Sequence, residues 1–128
     1  MKLSERVALI TGGATGIGRA TALALAKSKI DGVVINYRSA KDQAEELAEE
    51  ISQLGAKPLC IYADMTNDKQ VRAMVEEAGN HFGRLDILVN NAGITRWVPF
   101  ADLESLTDEI WDQILDVNVK GAFRCVRA

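Results

Sequence analysis

A glycine-rich segment near the N-terminus offers the clearest chemistry in this sequence. Thr11-Gly12-Gly13-Ala14-Thr15-Gly16-Ile17-Gly18 follows a short apolar run and precedes an Ala- and Leu-rich stretch. Residues without a Cβ let backbone amides approach an anion, and a following helix directs its free amides and positive dipole end at that anion. The segment therefore predicts a pyrophosphate-binding turn. The alternative is a tight strand-to-helix turn without a ligand.

The spacing of this segment separates it from two better-known glycine loops. Gly12-x-x-x-Gly16-x-Gly18 is not the common Gly-x-Gly-x-x-Gly pattern, and no Gly-Lys-Ser/Thr follows as in nucleotide hydrolases. A second polar group, Asn90-Asn91-Ala92-Gly93, follows another apolar run. Asn and Gly are common in plain strand-ending turns, but one Asn side chain there can also tie neighbouring strands together.

The elements that must position these residues follow from apolar patterning. Short apolar runs without alternation indicate strands buried on both faces, as in a parallel sheet. Four such runs predict strands, at Val7–Ile10, Val33–Ile35, Leu59–Tyr62 and Ile87–Val89. Helical spacing predicts four helices, from Gly18 to about Lys29, over Ala44–Leu54, over Val71–Phe82, and from about Asp108 towards the C-terminus. The order β-α-β-α-β-α-β-loop-α predicts an α/β fold with right-handed crossovers and a sheet covered on both faces.

Capping residues mark several of the helix ends. Ser39 is predicted to cap the start of the second helix, and Gly55 to follow its end. Asn67 and Gln70 have the spacing of a capping box before the third helix, and Gly83 is predicted to end it.

Composition excludes several classes of protein. The 128 residues carry 15 Lys and Arg against 18 Asp and Glu, a net charge of −3, and 48% are hydrophobic. This balance is that of a soluble globular chain, and it disfavours disorder and nucleic-acid binding. No apolar run approaches the roughly 20 residues that span a bilayer, and the N-terminus lacks the apolar stretch of a signal peptide. Cys60 and Cys125 indicate two reduced thiols in a cytosolic protein, and neither has the neighbours of a metal site.

These motifs together resemble those of the short-chain dehydrogenase/reductase family, whose glycine motif is Thr-Gly-x-x-x-Gly-x-Gly. The resemblance continues through Asp64, Asn90–Gly93 and Asn118 within Val117–Gly121, so it spans nearly the whole chain. Bacterial 3-oxoacyl-(acyl-carrier-protein) reductases and the glucose-dehydrogenase-like members of the family look most similar. The resemblance implies a Rossmann-type parallel sheet with strand order 3-2-1-4. It also implies that residues 1–128 are an NAD(P)-binding domain, the N-terminal half of a longer reductase, truncated before the fifth strand.

The resemblance also implies roles for individual residues. The pyrophosphate and adjacent ribose would be wrapped by Gly12, Thr15, Gly16, Ile17 and Gly18. Asp64 and the backbone of Met65 would flank the adenine, although Asp64 also fits a plain helix-entry position. Asn91, Ala92 and Gly93 would admit the cofactor ribose. Asn118 would distort its helix and hold a water of the catalytic proton relay, whereas the simpler interpretation is a buried amide satisfied by backbone.

The end of the second predicted strand bears on the choice of cofactor. A protein that binds NAD places an acid near this point, on the adenosine 2′-hydroxyl. Asn36, Tyr37 and Arg38 supply none, whereas the Arg38 guanidinium and the hydroxyl and amide of Ser39 suit a 2′-phosphate. NADP is therefore preferred, with NAD as the second candidate and a solvated Arg38 as the alternative.

The parent reaction implied by the resemblance is hydride transfer between a nicotinamide and a ketone, with 3-oxoacyl thioesters the leading substrates. The family's catalytic Tyr-x-x-x-Lys has one match here, Tyr37 to Lys41, which lies at the exit of the second strand and is interpreted as chance. We therefore expect these 128 residues to be inactive alone. A non-catalytic dinucleotide-binding module and a gene remnant are the alternatives. We also expect these residues either to associate into a homo-oligomer through the last helix and the open edge of the fourth strand, or to be markedly less stable than the longer reductase.

Overall fold

The computed structural model describes residues 3–128, which form a parallel sheet flanked by helices. Its strands are β1 (Val7–Ile10), β2 (Gly32–Tyr37), β3 (Lys57–Tyr62) and β4 (Ile87–Val89). The helices are α1 (Gly16–Lys27), α2 (Lys41–Gln53), α3 (Asp68–Phe82), α4 (Asp108–Leu115) and α5 (Ala122–Arg127), with a 3₁₀ turn at Leu103–Ser105. A π-helical turn, Asp116–Gly121, joins α4 to α5.

The four strands are all parallel and lie in the order β3-β2-β1-β4. Leu9 of β1 is in register with Val34 of β2 on one side and with Leu88 of β4 on the other. The predicted Rossmann-type α/β fold and strand order are confirmed. Within residues 3–128, β4 pairs only with β1, so its far side is an edge of the sheet.

The central strands β1 and β2 are buried on both faces, which explains why they read as unbroken apolar runs. Ala8 and Ile10 pack on one face with residues of α1 and α2 such as Leu47. Leu9 and Val34 pack on the other face with Met74 of α3. All four residues of β1 are buried, so the glycine segment that follows it starts from a rigid strand.

The helix ends agree with the sequence at most positions. Asn67 Oδ1 accepts from the amide of Gln70 at 3.2 Å, but the Gln70 side chain accepts from the amide of Asp64, so only half of a capping box forms. Gly83 has a left-handed φ of 73° at the end of α3, as predicted. The prediction of Ser39 as the cap of α2 is wrong, because Ala40 precedes that helix and leaves Ser39 free to face solvent.

Two further expectations are corrected by the structure. Helix α1 begins at Gly16, two residues before the predicted Gly18. The last helix is not one regular α-helix, because the π-helical turn interrupts it around Asn118. A π turn adds one residue per turn, so apolar periodicity alone does not reveal it.

Asp86 ties the beginnings of β1 and β4 together. Its Oδ2 accepts from the amide of Val7 at 2.9 Å, and both carboxylate oxygens accept from Arg84. Arg6 donates to Oδ1 at 3.0 Å. The hydrogen bonds from Arg84, Val7 and Arg6 hold the pKa of Asp86 well below its ordinary value.

Replacing Asp86 with Asn is therefore expected to destabilise the protein at neutral pH. A carboxylate whose pKa is lowered by folding contributes stability above its unfolded pKa, and that contribution is lost as the pH falls through the folded pKa. The stability difference between the wild type and Asp86→Asn should thus be largest at pH 7 and shrink below about pH 4. Urea unfolding at pH 7 and at about pH 2 measures it. The exposed Asp112→Asn serves as the control, and an Asp86→Asn penalty independent of pH would contradict the ionic interpretation.

Candidate functional site

An open cleft lies at the carboxyl ends of the four strands. The segments that line it each follow a strand, except for Val117 in the π-helical turn. They comprise Gly12, Ala14 and Thr15 after β1, residues 36–40 at the end of β2, residues 63–65 after β3, and residues 92–94 after β4. The carboxyl edge of an open parallel sheet is where ligands bind in such folds.

Thr11 and Asn91 lock the ends of β1 and β4 together. The buried Thr11 Oγ1 accepts from the amides of Asn91 and Ala92, each at 3.0 Å. The Asn91 side chain donates in return to the carbonyl oxygens of Thr11 and Gly12, both at 3.0 Å. Asn91 is thus the side chain that ties neighbouring strands, as one interpretation of the sequence anticipated. Its Nδ2 is used in these hydrogen bonds, and Asn91 does not line the cleft.

Asn36 forms a second brace between β2 and the glycine segment. It is 2% exposed, and its Oδ1 accepts from the amide of Gly12 at 3.0 Å. Its backbone oxygen accepts from the amide of Gly13 at 2.9 Å, and its Nδ2 donates to the carbonyl of Ala63 at 3.1 Å. Sequence reasoning considered Asn36 only as a missing acid. The available signal was a polar side chain directly after the apolar Val33–Ile35 run.

The two braces decide which amides of the glycine segment remain available to a ligand. Gly12 and Gly13 donate to Asn36, so their amides are already used. Residues Thr15–Gly18 open α1, and their amides lack intrahelical acceptors because they belong to its first turn. Thr15, Gly16 and Ile17 are exposed. An anion at this site would therefore be held by the start of α1 rather than by the first two glycines.

Three glycines are required by this geometry for different reasons. Gly12 and Gly16 have left-handed φ values of 59° and 54°, which side chains rarely adopt. A Cβ on Gly16 would meet no protein atom within 4 Å, so the space beside it is open. A Cβ on Gly18 would collide with the carbonyl oxygen of Gly12 and the side chain of Asn91. Gly18 therefore lets α1 pack closely against the brace.

The end of β2 gives the cleft a positive charge. Arg38 and Ser39 are both exposed and line it, and Arg38 is the one cationic residue among the lining residues. Tyr37 also lines the cleft and packs edge-on against Tyr62, with ring centroids 6.1 Å apart. Lys41 points to Glu45, with 3.6 Å between Nζ and the carboxylate. The Tyr37 to Lys41 pattern thus runs from the end of β2 to the start of α2.

Asp64 closes the cleft on the β3 side. Its Oδ1 accepts from the amide of Thr66 at 2.8 Å and from the Thr66 hydroxyl at 2.7 Å. Partial burial would raise the pKa of Asp64, but these hydrogen bonds, together with Arg38 and Arg124, lower it. The carboxylate is therefore ionised at neutral pH. Asp64 both lies at the entry to α3 and lines the cleft, so its position is compatible with both interpretations. Its contact with adenine stays a prediction.

Asn118 lies in the π-helical turn and pairs with the backbone of Ile94. Its Oδ1 accepts from the Ile94 amide at 2.8 Å, and its Nδ2 donates to the Ile94 carbonyl at 2.9 Å. The side chain is exposed, so the alternative of a buried asparagine is wrong, although the backbone does satisfy its amide. The helix is distorted at this residue as the resemblance implied. The predicted hold on a water stays a prediction.

The structure brings together most of the residues singled out in the sequence. Those lining the cleft are Gly12, Thr15, Arg38, Ser39, Asp64, Met65, Ala92 and Gly93. Gly16, Ile17, Gly18, Asn91 and Asn118 lie on the segments that border it. Sequence reasoning missed Asn36, Ala63, Ile94 and Val117 as members of the cleft wall. Among residues 3–128, no three acidic, His or Cys side chains cluster as metal ligands, and no helix is long and apolar enough to cross a bilayer.

Comparison with known proteins places this fold and cleft in a family. The sequence model of the short chain dehydrogenases matches residues 6–128, and the chain belongs to that family. The 3-oxoacyl-(acyl-carrier-protein) reductase FabG of Staphylococcus aureus is 41% identical over 129 residues, covering 99% of this chain and 50% of that protein. The short-chain dehydrogenase/reductase homolog YusS of Bacillus subtilis is 41% identical over 110 residues, which are 86% of this chain and all of that protein.

Two solved structures of short-chain dehydrogenases have a fold similar to that of this chain. A mutant short-chain dehydrogenase/reductase of Serratia marcescens matches with a TM-score of 0.90 at 35% identity. A short chain dehydrogenase of Burkholderia cenocepacia, solved in complex with NADP, matches with a TM-score of 0.89 at 38% identity. Each alignment covers 99% of this chain and 50% of the other. Apart from YusS, these relatives are thus about twice as long as this chain.

Gly16→Val tests whether the opening of α1 is a ligand site or only a turn. A valine at this left-handed position costs about 1–3 kcal/mol of stability, and its side chain fills the open space beside the free amides. Gly83→Val is a matched control, because Gly83 also has a left-handed φ and open space but lies at the far end of α3. Both variants should melt earlier, and only Gly16→Val should lose binding of ADP-ribose in a calorimetric titration. Retained binding by Gly16→Val would show that the segment is only a turn.

Proposed function

We propose that this chain binds NADP in the cleft at the carboxyl ends of its strands. The proposal rests on one observation: two groups that suit phosphates border the same cleft. The free amides at the start of α1 suit a pyrophosphate, and the exposed Arg38 guanidinium with Ser39 suits a 2′-phosphate. Further support comes from the similar Burkholderia cenocepacia protein, which was solved in complex with NADP. NAD is the second candidate cofactor.

The remaining contacts proposed for the cofactor lie along the glycine segment and in the loops after β3 and β4. Thr15, Gly16, Ile17 and Gly18 offer backbone amides to the pyrophosphate, and the left-handed Gly12 keeps the loop clear of it. Asp64 and Met65 border the adenine at the β3 side. Ala92 and Gly93 leave room for the nicotinamide-side ribose, because neither carries a bulky side chain.

The parent reaction in this proposal is the reversible reduction of a ketone, with 3-oxoacyl thioesters as the leading substrates. The FabG relatives, named as 3-oxoacyl reductases, support that substrate class. When bound, the nicotinamide supplies or accepts the hydride. Asn118 keeps the Ile94 segment in place at that end of the cleft. Because the Tyr37 to Lys41 pattern lies at the opposite, β2 side and Lys41 pairs with Glu45, we propose that these 128 residues do not reduce a ketone by themselves.

A non-catalytic dinucleotide-binding module is the second candidate function. The Bacillus subtilis homolog YusS favours it, because the 110 aligned residues make up the whole of that protein. Both candidates require the cofactor cleft. They differ in whether catalytic residues from elsewhere complete the site.

Arg38→Asp tests the choice of cofactor. The substitution removes a charge-assisted hydrogen bond to the 2′-phosphate and adds repulsion, so NADP binding should weaken by about 1–3 kcal/mol. NAD has a 2′-hydroxyl there, and its affinity should change much less. Calorimetric titration of both cofactors against both proteins measures the difference.

Lys41→Asp is the matched control for this experiment. It makes the same charge change three residues further on, at a side chain paired with Glu45 outside the cleft. NADP affinity should respond only weakly to it. Equal weakening of NADP and NAD binding by Arg38→Asp would exclude the 2′-phosphate contact.

The same samples given NADPH and a 3-oxoacyl thioester should leave the NADPH unoxidised. Oxidation of NADPH would contradict the proposal that the chain is inactive alone.

We also propose that the chain associates with itself through its last helical region. Large apolar side chains recur every three or four residues there, between 45% and 69% exposed: Trp111, Leu115, Val119, Phe123 and Val126. Such a concentration of exposed large apolar side chains is typical of surfaces that contact another protein. The edge of β4, next to β1, is a second route to association.

Light scattering on the purified chain tests this association. We expect a species larger than 13.9 kDa, and we expect Phe123→Asp to shift it towards the monomer by placing a charge in the apolar surface. Tyr62→Asp, at the opposite edge of the sheet, changes a half-exposed aromatic residue in the same way and should leave the mass unchanged. A strictly monomeric wild-type chain with a cooperative, high-midpoint urea transition would indicate a self-sufficient small domain instead.

A further inference from the structure

Arg124 is a charged side chain that the proposed function does not use, yet it reaches the wall of the cleft. It lies on α5, and its side chain is only 15% exposed. Its Nη1 donates to the carbonyl oxygen of Met65 at 2.8 Å and to that of Asp116 at 3.2 Å. Its Nη2 donates to the Asp116 carboxylate at 2.8 Å. One guanidinium thus joins the loop after β3 to the start of the π-helical turn.

Met65 is held by two further residues of the same helical region. Gly121 approaches so closely that a Cβ there would lie 2.8 Å from the Met65 Cβ. The Cys125 sulfur lies 3.5 Å from the Met65 sulfur. Met65 is itself 6% exposed and lines the cleft beside Asp64. The position of this wall is therefore set from the last helical region rather than by β3 alone.

The same region also holds the opposite rim of the cleft. Asn118 binds both backbone groups of Ile94, which follows β4, while Arg124 binds the backbone of Met65, which follows β3. The π-helical turn lies between these two attachments. The guanidinium contacts the first residue of that turn through both the Asp116 carbonyl and its carboxylate.

We propose that Arg124 is a positioning residue, which fixes the Met65 backbone and with it the adenine side of the cleft. The proposal rests on the proposed NADP binding, because it assigns Met65 and Asp64 to the adenine. A planar guanidinium is needed, since one side chain donates in a fixed geometry to three oxygens on two separate segments. A lysine would keep the charge near Asp64 and Asp116 but lose that fork.

The test compares two ligands on the full chain. 2′,5′-ADP contains the adenine and contacts its wall, whereas inorganic pyrophosphate contains no adenine and depends on the opening of α1. Arg124→Met is expected to weaken 2′,5′-ADP about tenfold, because a charged hydrogen-bond donor is lost and Met65 is released. The affinity of the Arg124→Met variant for pyrophosphate should equal that of the wild type. Arg124→Lys, which keeps the charge and is the better-tolerated change, should fold normally and still weaken 2′,5′-ADP several-fold.

Arg127→Met is the matched control on the same helix. Arg127 pairs with Asp68 at 2.8 Å and stacks on Phe123, and it does not line the cleft. Arg127→Met should change neither the affinity for 2′,5′-ADP nor the affinity for pyrophosphate. Wild-type 2′,5′-ADP affinity in Arg124→Lys and Arg124→Met would overturn the inference. So would equal weakening of both ligands in step with a lower melting temperature, which indicates a structural role only. Failure of the unaltered chain to bind either ligand contradicts the proposed function itself.

Discussion

The structure depends on the hydrogen bonds that fix the glycine segment to the strands beside it. β1 ends in a segment whose backbone must turn sharply and then start a helix with its amides exposed. Thr11 and Asn91 hold the β4 side of this turn, and Asn36 holds the β2 side. Buried polar groups are stabilising only when they are satisfied. No buried side-chain nitrogen or oxygen within residues 3–128 lacks a partner.

These two sets of hydrogen bonds, from Thr11 and Asn91 and from Asn36, explain how an apolar sheet supports a polar cleft. The strands bring Gly12, Asn36, Ala63 and Ala92 to one edge because they are parallel, and the braces then fix the spacing between the loops. The loops use their own polar atoms for that purpose, which leaves the first amides of α1 and the Arg38 side chain for a ligand. Arg124 extends the same principle to the wall formed by Met65, through a contact between residues 59 positions apart.

Local patterns in the sequence predicted the scaffold well. The unbroken apolar runs predicted a parallel sheet, and Gly83 and Asn67 marked the ends of α3. Ser39 misled because a cap depends on the exact residue at which a helix starts. The roles of Asn36 and Arg124 depend on contacts with residues distant in the chain, which no local pattern encodes. A distortion of the helix at Asn118 was implied only by the family resemblance, and its form as a π turn was not predicted, since helical spacing does not distinguish it.

One cleft, whose loops are held by Asn36, Thr11 and Asn91, is proposed to bind a dinucleotide. Titration of the ¹⁵N-labelled chain with NADP, followed by amide chemical shifts, tests it directly. Saturable shifts are expected in the amides of residues 14–18, 38–39, 64–65 and 92–94, with the distant face of α3 around His81 unmoved. Absence of saturable shifts, or shifts centred away from the cleft, would contradict the claim.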